Sequence, residues 1–300
     1  ERAADRVLDL WITVIEATPS LPKGHEVARH QALLASAEPF ADCDSSPAMV
    51  SVQDDSIGVV AGDMCWTLDT DTGFISGWHH QGSALIADAL SDCFVRAPID
   101  NDICSSEVDN PSPDAWLAAW QKAGLFDLEH RCRGVEVHGN VVISQHEYTG
   151  AQGVLIRSQW THRFDADGAV RIDVVVSREV PDLPLPRVGA RLLLAQKPES
   201  VAWVGRGPHE NYPDRKTSAD MGIWSCSRQA MQTPYIFPSE NGLRCDVQLA
   251  QIGQVQIERL RESFAFSVSD FGVDSLMSAQ HTHEREEQDA LHLHIDGFQM

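Results

Sequence analysis

The chain has 300 residues, 43% of them hydrophobic, which suffices for one large domain or two ordinary ones with a sizeable core. Its 44 Asp and Glu outnumber its 23 Lys and Arg, giving a formal charge of -21, so nucleic acid and anionic membrane are poor partners while a neutral sugar is not penalised. The seven cysteines are odd in number, scattered and without C-x-x-C spacing, which reads as reduced thiols in a cytoplasmic protein; no apolar run approaches the roughly 18 to 20 residues that span a bilayer.

Near the start, "VLDLWITVIEA" and "HEVARHQALLA" are two strand-like runs joined by the turn-forming "TPSLPKG". Two strands alone bury no core, so residues 1–40 read as the closing strands of a sandwich domain. Residues 41–48 read as a linker, and 49–300 as a second domain. The first residues form neither a signal peptide nor an initiator-methionine start, and the last fall within a strand-like pattern, so the chain reads as a piece of something longer.

From residue 49 onward the signals are short and β-like. "DMCWTLDTDTGFISGW" places Met64, Trp66 and Leu68 on one face before a turn; "VEVHGNVVIS" turns at Gly139-Asn140; "RFDADGAVRIDVVVSREV" turns at Asp167-Gly168 before Val170, Ile172, Val174 and Val176 alternate. Seven more runs fit strands, from "VLIRSQWTHRF" to "LHLHID". One segment differs: in "PSPDAWLAAWQKAG" Ser112 suits an N-cap, Pro113 the first helical position and Gly124 the C-terminal cap, with Trp116 and Trp120 spaced i, i+4. The expectation is a many-stranded all-β domain with one short helix, and no strand-helix alternation of the kind a (β/α)₈ barrel requires.

The densest motif is "VGRGPHENYPDR", Val204 to Arg215. It fails as a dinucleotide loop, since Pro208, His209 and Glu210 follow Gly207 where a third glycine belongs, and no Gly-Lys-Ser/Thr makes it a phosphate loop. Two readings stay open: a sugar-binding loop in which His209, Glu210, Asn211, Asp214 and Arg215 bond hydroxyls, or a structural corner in which Asp214 and Arg215 pair internally. "CFVRAPIDNDICSSEVDNPSP" sets Arg96, Asp100, Asn101 and Asp102 ahead of a small-residue loop, as a mobile lid or an Asx-rich turn would. In "HTHEREEQDALHLHID" a hairpin would align His281 and His283 with His292, His294 and Asp296, a donor set zinc accepts, but solvated edge histidines need no metal and none is assigned. Glu210, Asp214 and Glu240 could supply a glycosidase pair, though nothing in their spacing fixes one.

Five blocks, "FVRAPIDND", "DAWLAAWQKAG", "GRGPHENYPDR", "TPYIFPSENGLRCDV" and "LHIDGFQM", in this order and at these separations, resemble the C-terminal small-chain domain of large bacterial β-galactosidases of glycoside hydrolase family two. The resemblance covers residues 50 to 300, and residues 1–40 look like the end of the preceding immunoglobulin-like domain of the same enzymes. It implies a large antiparallel supersandwich similar in fold to galactose mutarotase. It also implies that the catalytic glutamates and the magnesium and sodium ligands lie in an upstream barrel, and that a tryptophan lining the sugar site follows the last block, beyond Met300. The segment from Cys104 to Pro113 matches a loop beside the family's active site, which makes Asp100, Asn101, Asp102, Cys104 and Ser105 substrate-proximal. Relatives can carry glycine where Cys104 stands, and cysteine lacks glycine's freedom at positive φ.

The resulting expectation is a non-catalytic domain that braces the barrel and walls the sugar pocket of a cytoplasmic, homo-oligomeric enzyme hydrolysing terminal β-galactosides with retention. In this fragment no catalytic residue, cofactor or metal is expected; magnesium and sodium belong to the parent. The alternatives are a stand-alone aldose 1-epimerase, with an acid and base drawn from His209, Glu210 and their neighbours, or a galactose-binding module.

Overall fold

The structure is a computed structural model that describes residues 5–36, 46–105 and 110–300. In chain order, β1 (Arg6–Thr13) and β2 (Glu26–Ala35) form an antiparallel hairpin. Strands β3 (Met49–Val52), β4 (Ser56–Ala61), β5 (Met64–Asp69), β6 (Ile75–His80), β7 (Ser83–Ala84) and β8 (Ile86–Cys93) then run as a meander. After α1 (Asp100–Ile103) and α2 (Trp116–Ala123) come β9 (Glu129–His138), β10 (Val141–Gly150), β11 (Gly153–Phe164) and β12 (Val170–Arg178), a four-stranded antiparallel sheet. The remainder is β13 (Arg187–Leu194), β14 (Ser200–Gly207), β15 (Asp220–Ser227), β16 (Arg244–Val247), β17 (Leu249–Ile252), β18 (Val255–Glu258), β19 (Phe264–Phe271), α3 (Val273–Ser278) and β20 (Glu287–Gln299).

Ten strands make one large sheet in the order β16-β19-β20-β13-β8-β6-β5-β4-β3, with β7 on β6; β15-β14-β17-β18 make a second four-stranded sheet. All pairings are antiparallel among the described residues, so this is an all-β fold. One apolar core joins the three sheets: Ile57, Trp66 and Leu68 from the large sheet meet Val142, Trp160 and Phe164 from one small sheet and Val201, Trp203 and Ile252 from the other. This is the alternation expected of half-buried strands, with Trp66 and Leu68 inside and Cys65 and Thr67 outside.

Several polar groups inside that core are paired. Asp92 on β8 accepts hydrogen bonds from Tyr148 Oη (2.6 Å), Ser158 Oγ (2.5 Å) and Trp160 Nε1 (3.0 Å), stitching the large sheet to β10 and β11. Burial still pushes its carboxyl above the ordinary carboxylate range, against the pull of those three donors. Phe74 stacks on His146 with centroids 4.3 Å apart, and His146 in turn bonds His130 (3.0 Å) and Ser144 (2.8 Å).

The turns at Gly139-Asn140 and Asp167-Gly168 fall between β9 and β10 and between β11 and β12, with Gly139 and Gly168 at positive φ. The expected helix is α2, and Gly124 ends it at φ 72°. It starts later than Ser112 predicts: Ala115 N–H donates to Ser112 O (2.9 Å), closing a turn, and Ala115 rather than Ser112 is the flanking residue of the helix. Two shorter helices, α1 and α3, accompany it. The hairpin anticipated at "HTHEREEQDALHLHID" does not form, because residues 282–284 make a 3-10 turn whose Glu284 side chain caps the N–H groups of Gln280 (2.8 Å) and His281 (3.1 Å). Of the anticipated linker 41–48, residues 41–45 lie outside the described residues, while Ala48 N–H bonds Phe164 O (3.1 Å) and Ser46 O accepts from Ala166 N–H (2.8 Å).

No helix among the described residues is long and apolar enough to cross a membrane. Six described cysteines, Cys65, Cys93, Cys104, Cys132, Cys226 and Cys245, are free thiols; Cys43 lies outside the described residues.

Candidate functional site

Strand β8 delivers the chain into a strap, residues 94–105, that contains α1. Arg96 turns back into the strap, its Nη1 and Nη2 reaching Asp102 Oδ2 (2.6 Å) and Oδ1 (3.1 Å), and both side chains are buried. Asp102 Oδ2 also accepts from Ile99 N–H (2.9 Å), so one carboxylate shapes the single turn of α1 and neutralises a buried guanidinium. The Arg96 guanidinium lies 5.9 Å above the Trp120 ring of α2. Asp100, Asn101, Cys104 and Ser105 are exposed. Cys104 takes φ 52°, the left-handed conformation that glycine would adopt without strain, and its thiol donates to Asn101 O (3.1 Å). Ser105 Oγ bonds Asn110 O (3.0 Å), which closes the strap; residues 106–109 lie outside the described residues.

In the second block, Gly207-Pro208 is cis, and the loop after it folds around buried Asn211. Asn211 Nδ2 donates to His209 O (3.0 Å), and its Oδ1 accepts from Cys245 N–H (3.0 Å). Glu210 is buried and takes hydrogen bonds from Gly242 N–H (2.7 Å), Arg215 Nη2 (2.6 Å) and Tyr235 Oη. Burial is the largest influence on its carboxyl and works to raise its pKa, but those donors outweigh it and hold Glu210 below the usual carboxylate range. Arg215 pairs with Glu210 rather than with Asp214, which is exposed; exposed His209 meets Ser218 Oγ at 3.0 Å.

The two blocks are linked through a third segment. The segment 238–243 joins them: Glu240 N–H reaches Ala97 O (3.4 Å) while Gly242 N–H reaches Glu210. The hub of the arrangement is Arg187, at the start of β13 and fully buried. Its Nη2 donates to Glu240 Oε1 (2.8 Å) and Gln299 Oε1 (3.4 Å), its Nη1 to Val95 O (3.4 Å), and its Nε lies 3.2 Å from Asp296 Oδ1. Asp296 shares its face of β20 with His292 and His294, while Leu291 and Leu293 point into the core. Of the histidines in the supposed metal set, His292 and His294 are therefore part of a buried polar layer, while His281 and His283 are exposed. Among the described residues no group of three or more His, Cys, Asp or Glu is placed to hold a metal ion.

Three of the five sequence blocks meet Arg187 directly, through Val95, Glu240 and the pair Asp296 and Gln299, and the other two are held to those blocks, Trp120 beneath Arg96 and Glu210 on Gly242. Sequence reasoning missed Arg187, because "PRVGARLLL" reads only as the start of an apolar strand. Tyr235, the third donor to Glu210, was missed for a similar reason: one aromatic in a Pro-rich loop gives no sign of its partner.

A groove of about 760 Å³ lies elsewhere, between the β1–β2 hairpin and β14–β15, and none of the predicted site residues lines it. Among its charges, Arg29 pairs with Asp220 (2.9 Å) and both Arg206 (2.5 Å) and Lys216 (3.0 Å) pair with Asp246. Gln31 clamps the backbone of Met221 through both its oxygen (2.7 Å) and its nitrogen (3.0 Å). This groove is a docking seam for the hairpin.

Comparison with known families decides what the convergent blocks belong to. Residues 60–300 match the family model of the β-galactosidase small chain. The chain belongs to that family. It is 42% identical to a β-galactosidase of Aeromonas hydrophila and 38% identical to one of Klebsiella pneumoniae, in each case over 98% of this chain and 29% of the relative's length. A β-galactosidase of Yersinia enterocolitica is 37% identical over 97% of the chain. The small chain described here therefore spans under a third of the relatives it matches. Among solved structures, a protein from Escherichia coli K12 provisionally assigned as an aldose 1-epimerase covers 83% of this chain at 12% identity and a TM-score of 0.39, a likeness too slight to bear a functional argument.

Proposed function

We propose that this chain is the non-catalytic small-chain domain of a β-galactosidase that hydrolyses terminal β-D-galactosides with retention. In this reading residues 1–40 end an immunoglobulin-like sandwich, 41–48 connect, and 49–300 brace an upstream catalytic barrel and wall its sugar pocket. The observation that carries it is the match of nearly the whole chain to less than a third of each β-galactosidase, together with the use of its own acidic groups: Asp102, Glu210 and Glu240 are all buried in ion pairs or caps. A retaining glycosidase needs two carboxyl groups about 5 to 5.5 Å apart and open to substrate. Buried carboxylates already committed to arginines offer no such pair, so the acid/base and nucleophile belong to the rest of the enzyme. Magnesium and sodium belong there too.

Exposed Asp100, Asn101, Cys104 and Ser105 are the surface the strap offers to a galactoside, with Arg96 and Asp102 holding it from beneath. His209, Glu210, Asn211, Asp214 and Arg215 form a corner that bonds itself. The same saturation speaks against stand-alone epimerase chemistry, since a base already receiving three hydrogen bonds is a weak proton acceptor. The enzyme is read as a cytoplasmic homo-oligomer.

Two measurements test this. Polarimetry of freshly dissolved galactose with the purified chain should show no acceleration of mutarotation; clear catalysis would make the chain an epimerase. In the full-length protein, deleting the residues of this chain should abolish hydrolysis of a nitrophenyl β-galactoside, and full retained activity would defeat the bracing role.

A further inference from the structure

Arg187, Glu240 and Asp296 place two carboxylates on one guanidinium, with side chains 0%, 5% and 0% exposed. Glu240 receives an in-line hydrogen bond at 2.8 Å. Asp296 does not: its 3.2 Å contact with Arg187 Nε is out of line for a hydrogen bond, and neither of its oxygens receives one from any described group. Gly189 makes this placement possible, because a Cβ there would overlap Asp296 Oδ1 and sit 2.5 Å from Ile295 O.

Fully ionised, the cluster would hold one uncompensated negative charge away from water, which is far costlier than holding a neutral acid. Among the described residues no other neighbour supplies a balancing cation. The Cys93 thiol of β8 and the Cys245 thiol of β16 are both pushed up by burial and stay neutral, and burial keeps His294, on β20 itself, neutral as well. Arg96 is committed to Asp102. The same Arg187 that faces Asp296 holds Val95 O, and Glu240 holds Ala97 O through its backbone N–H, so the root of the strap hangs on this cluster.

We propose that Asp296 is a positioning residue for the strap: protonated, it leaves Arg187 to Glu240 and Val95, and on losing its proton to solvent it draws the guanidinium toward itself and loosens the strap's root. Burial pushes the Asp296 carboxyl up to about 7, against the opposing pull of Arg187, which puts the exchange in the neutral range. The inference deepens the reading of the strap as a wall of the galactoside pocket and rests on it for its functional meaning.

Amide hydrogen exchange on this chain tests it. The N–H groups of Ile99, Asp102 and Cys104, each hydrogen-bonded within the strap, report its integrity, and those of Gln145 and Gln159, paired between β10 and β11, report the fold. From about pH 6 to about pH 8, one unit either side of that titration, strap protection corrected for intrinsic exchange should fall several-fold while β10–β11 protection holds. Asp296→Asn should keep strap protection high and flat. Glu240→Gln leaves Asp296 the one carboxylate on Arg187, so the transition should move to lower pH; this variant carries the test if Asp296→Asn lowers β10–β11 protection. A flat strap profile in the unaltered chain, or an unshifted one in both variants, overturns the inference. Neither result touches the bracing role, which fails only if the full-length enzyme stays active without these residues.

Discussion

The Arg187 network and the β1–β2 hairpin handle polarity in opposite ways. Around Arg187 the chain buries three carboxylates, two guanidiniums and two histidines, and pairs Arg96 with Asp102 and Arg187 with Glu240 within itself, while Asp296 and His294 Nε2 lack hydrogen bonds. The hairpin does the reverse: its polar side chains Arg29 and Gln31 are engaged with β15, while Leu10, Ile12 and Leu34 stand 48%, 62% and 64% exposed. Leu8, Leu10 and Ile12 alternate with Asp9 and Trp11, so they share one face of a two-stranded sheet, opposite the groove. A sheet face of that kind contributes little to stability until something covers it. The contrast teaches that polar burial marks the self-sufficient part of this chain, and apolar exposure the part that is not.

The sharpest way to break the contrast is at the hub. Arg187→Met leaves Glu240 and Asp296 buried without a cation and should cost about 3 to 5 kcal/mol in urea unfolding, the range for stripping one partner from a buried ion pair. A loss below about 1 kcal/mol, typical of ordinary substitutions, would mean the network is not the strong point of the fold.

Acid is the next probe. Burial pulls His162 down to about 4 and His292 to about 4, and burial with the neighbouring imidazoles pulls His146 down to about 3. Each binds its proton more readily unfolded than folded, so each contributes stability that is complete above about pH 6.5 and is lost as pH falls toward 4. Asp296 works the other way, since its raised carboxyl favours the folded chain as pH falls from about 7 to about 4. Asp92, likewise raised by burial, acts in the same direction as Asp296, but four depressed histidines, with His294 among them, outweigh the two carboxyls, and stability should decline below about pH 6. His162 is enclosed between Trp160 and Phe164, so His162→Phe should remove on the order of 3 kcal/mol of that acid sensitivity, read as a flatter plot of unfolding free energy against pH. An unchanged slope would show that His162 is protonated without penalty.

A milder strain test is Gly189→Ala. The added methyl meets Asp296 and the Ile295 carbonyl across the β13–β20 pair and should cost about 1 to 3 kcal/mol, as overpacking does, with the strap loosened at all pH values. Stability equal to that of the unaltered chain would mean that β20 moves aside freely.

What the sequence disclosed follows the range of the forces involved. Strands and turns were legible because alternation and residues such as Gly139 and Gly168 act locally, and Gly124 announced the end of α2 for the same reason. The turn of α1 was illegible because "IDND" has no helical period; it exists because Asp102 meets Arg96 and the Ile99 N–H. At the candidate site, the composition of the blocks was readable but their wiring was not. Arg215 chose Glu210 over its neighbour Asp214, and Glu240 chose Arg187 at a separation of 53 residues, choices made by tertiary folding alone.

The smallest effect is expected where the comparison began. Ile12 is paired with Ala28 across the hairpin and is largely exposed, so Ile12→Thr keeps a β-branched side chain in the strand and removes apolar surface that lies mostly in water. In this chain the substitution should change the unfolding free energy by no more than about 0.5 kcal/mol, whereas Leu293→Ala, fully buried on β20, should cost about 2 to 5 kcal/mol. The same Ile12→Thr change made in a full-length β-galactosidase should cost more than it does here, because a covered face loses real burial. Equal, negligible effects in both settings would show that this face of the hairpin stays in water in the full-length protein too, and would remove the reason for treating residues 1–40 as the closing strands of a sandwich.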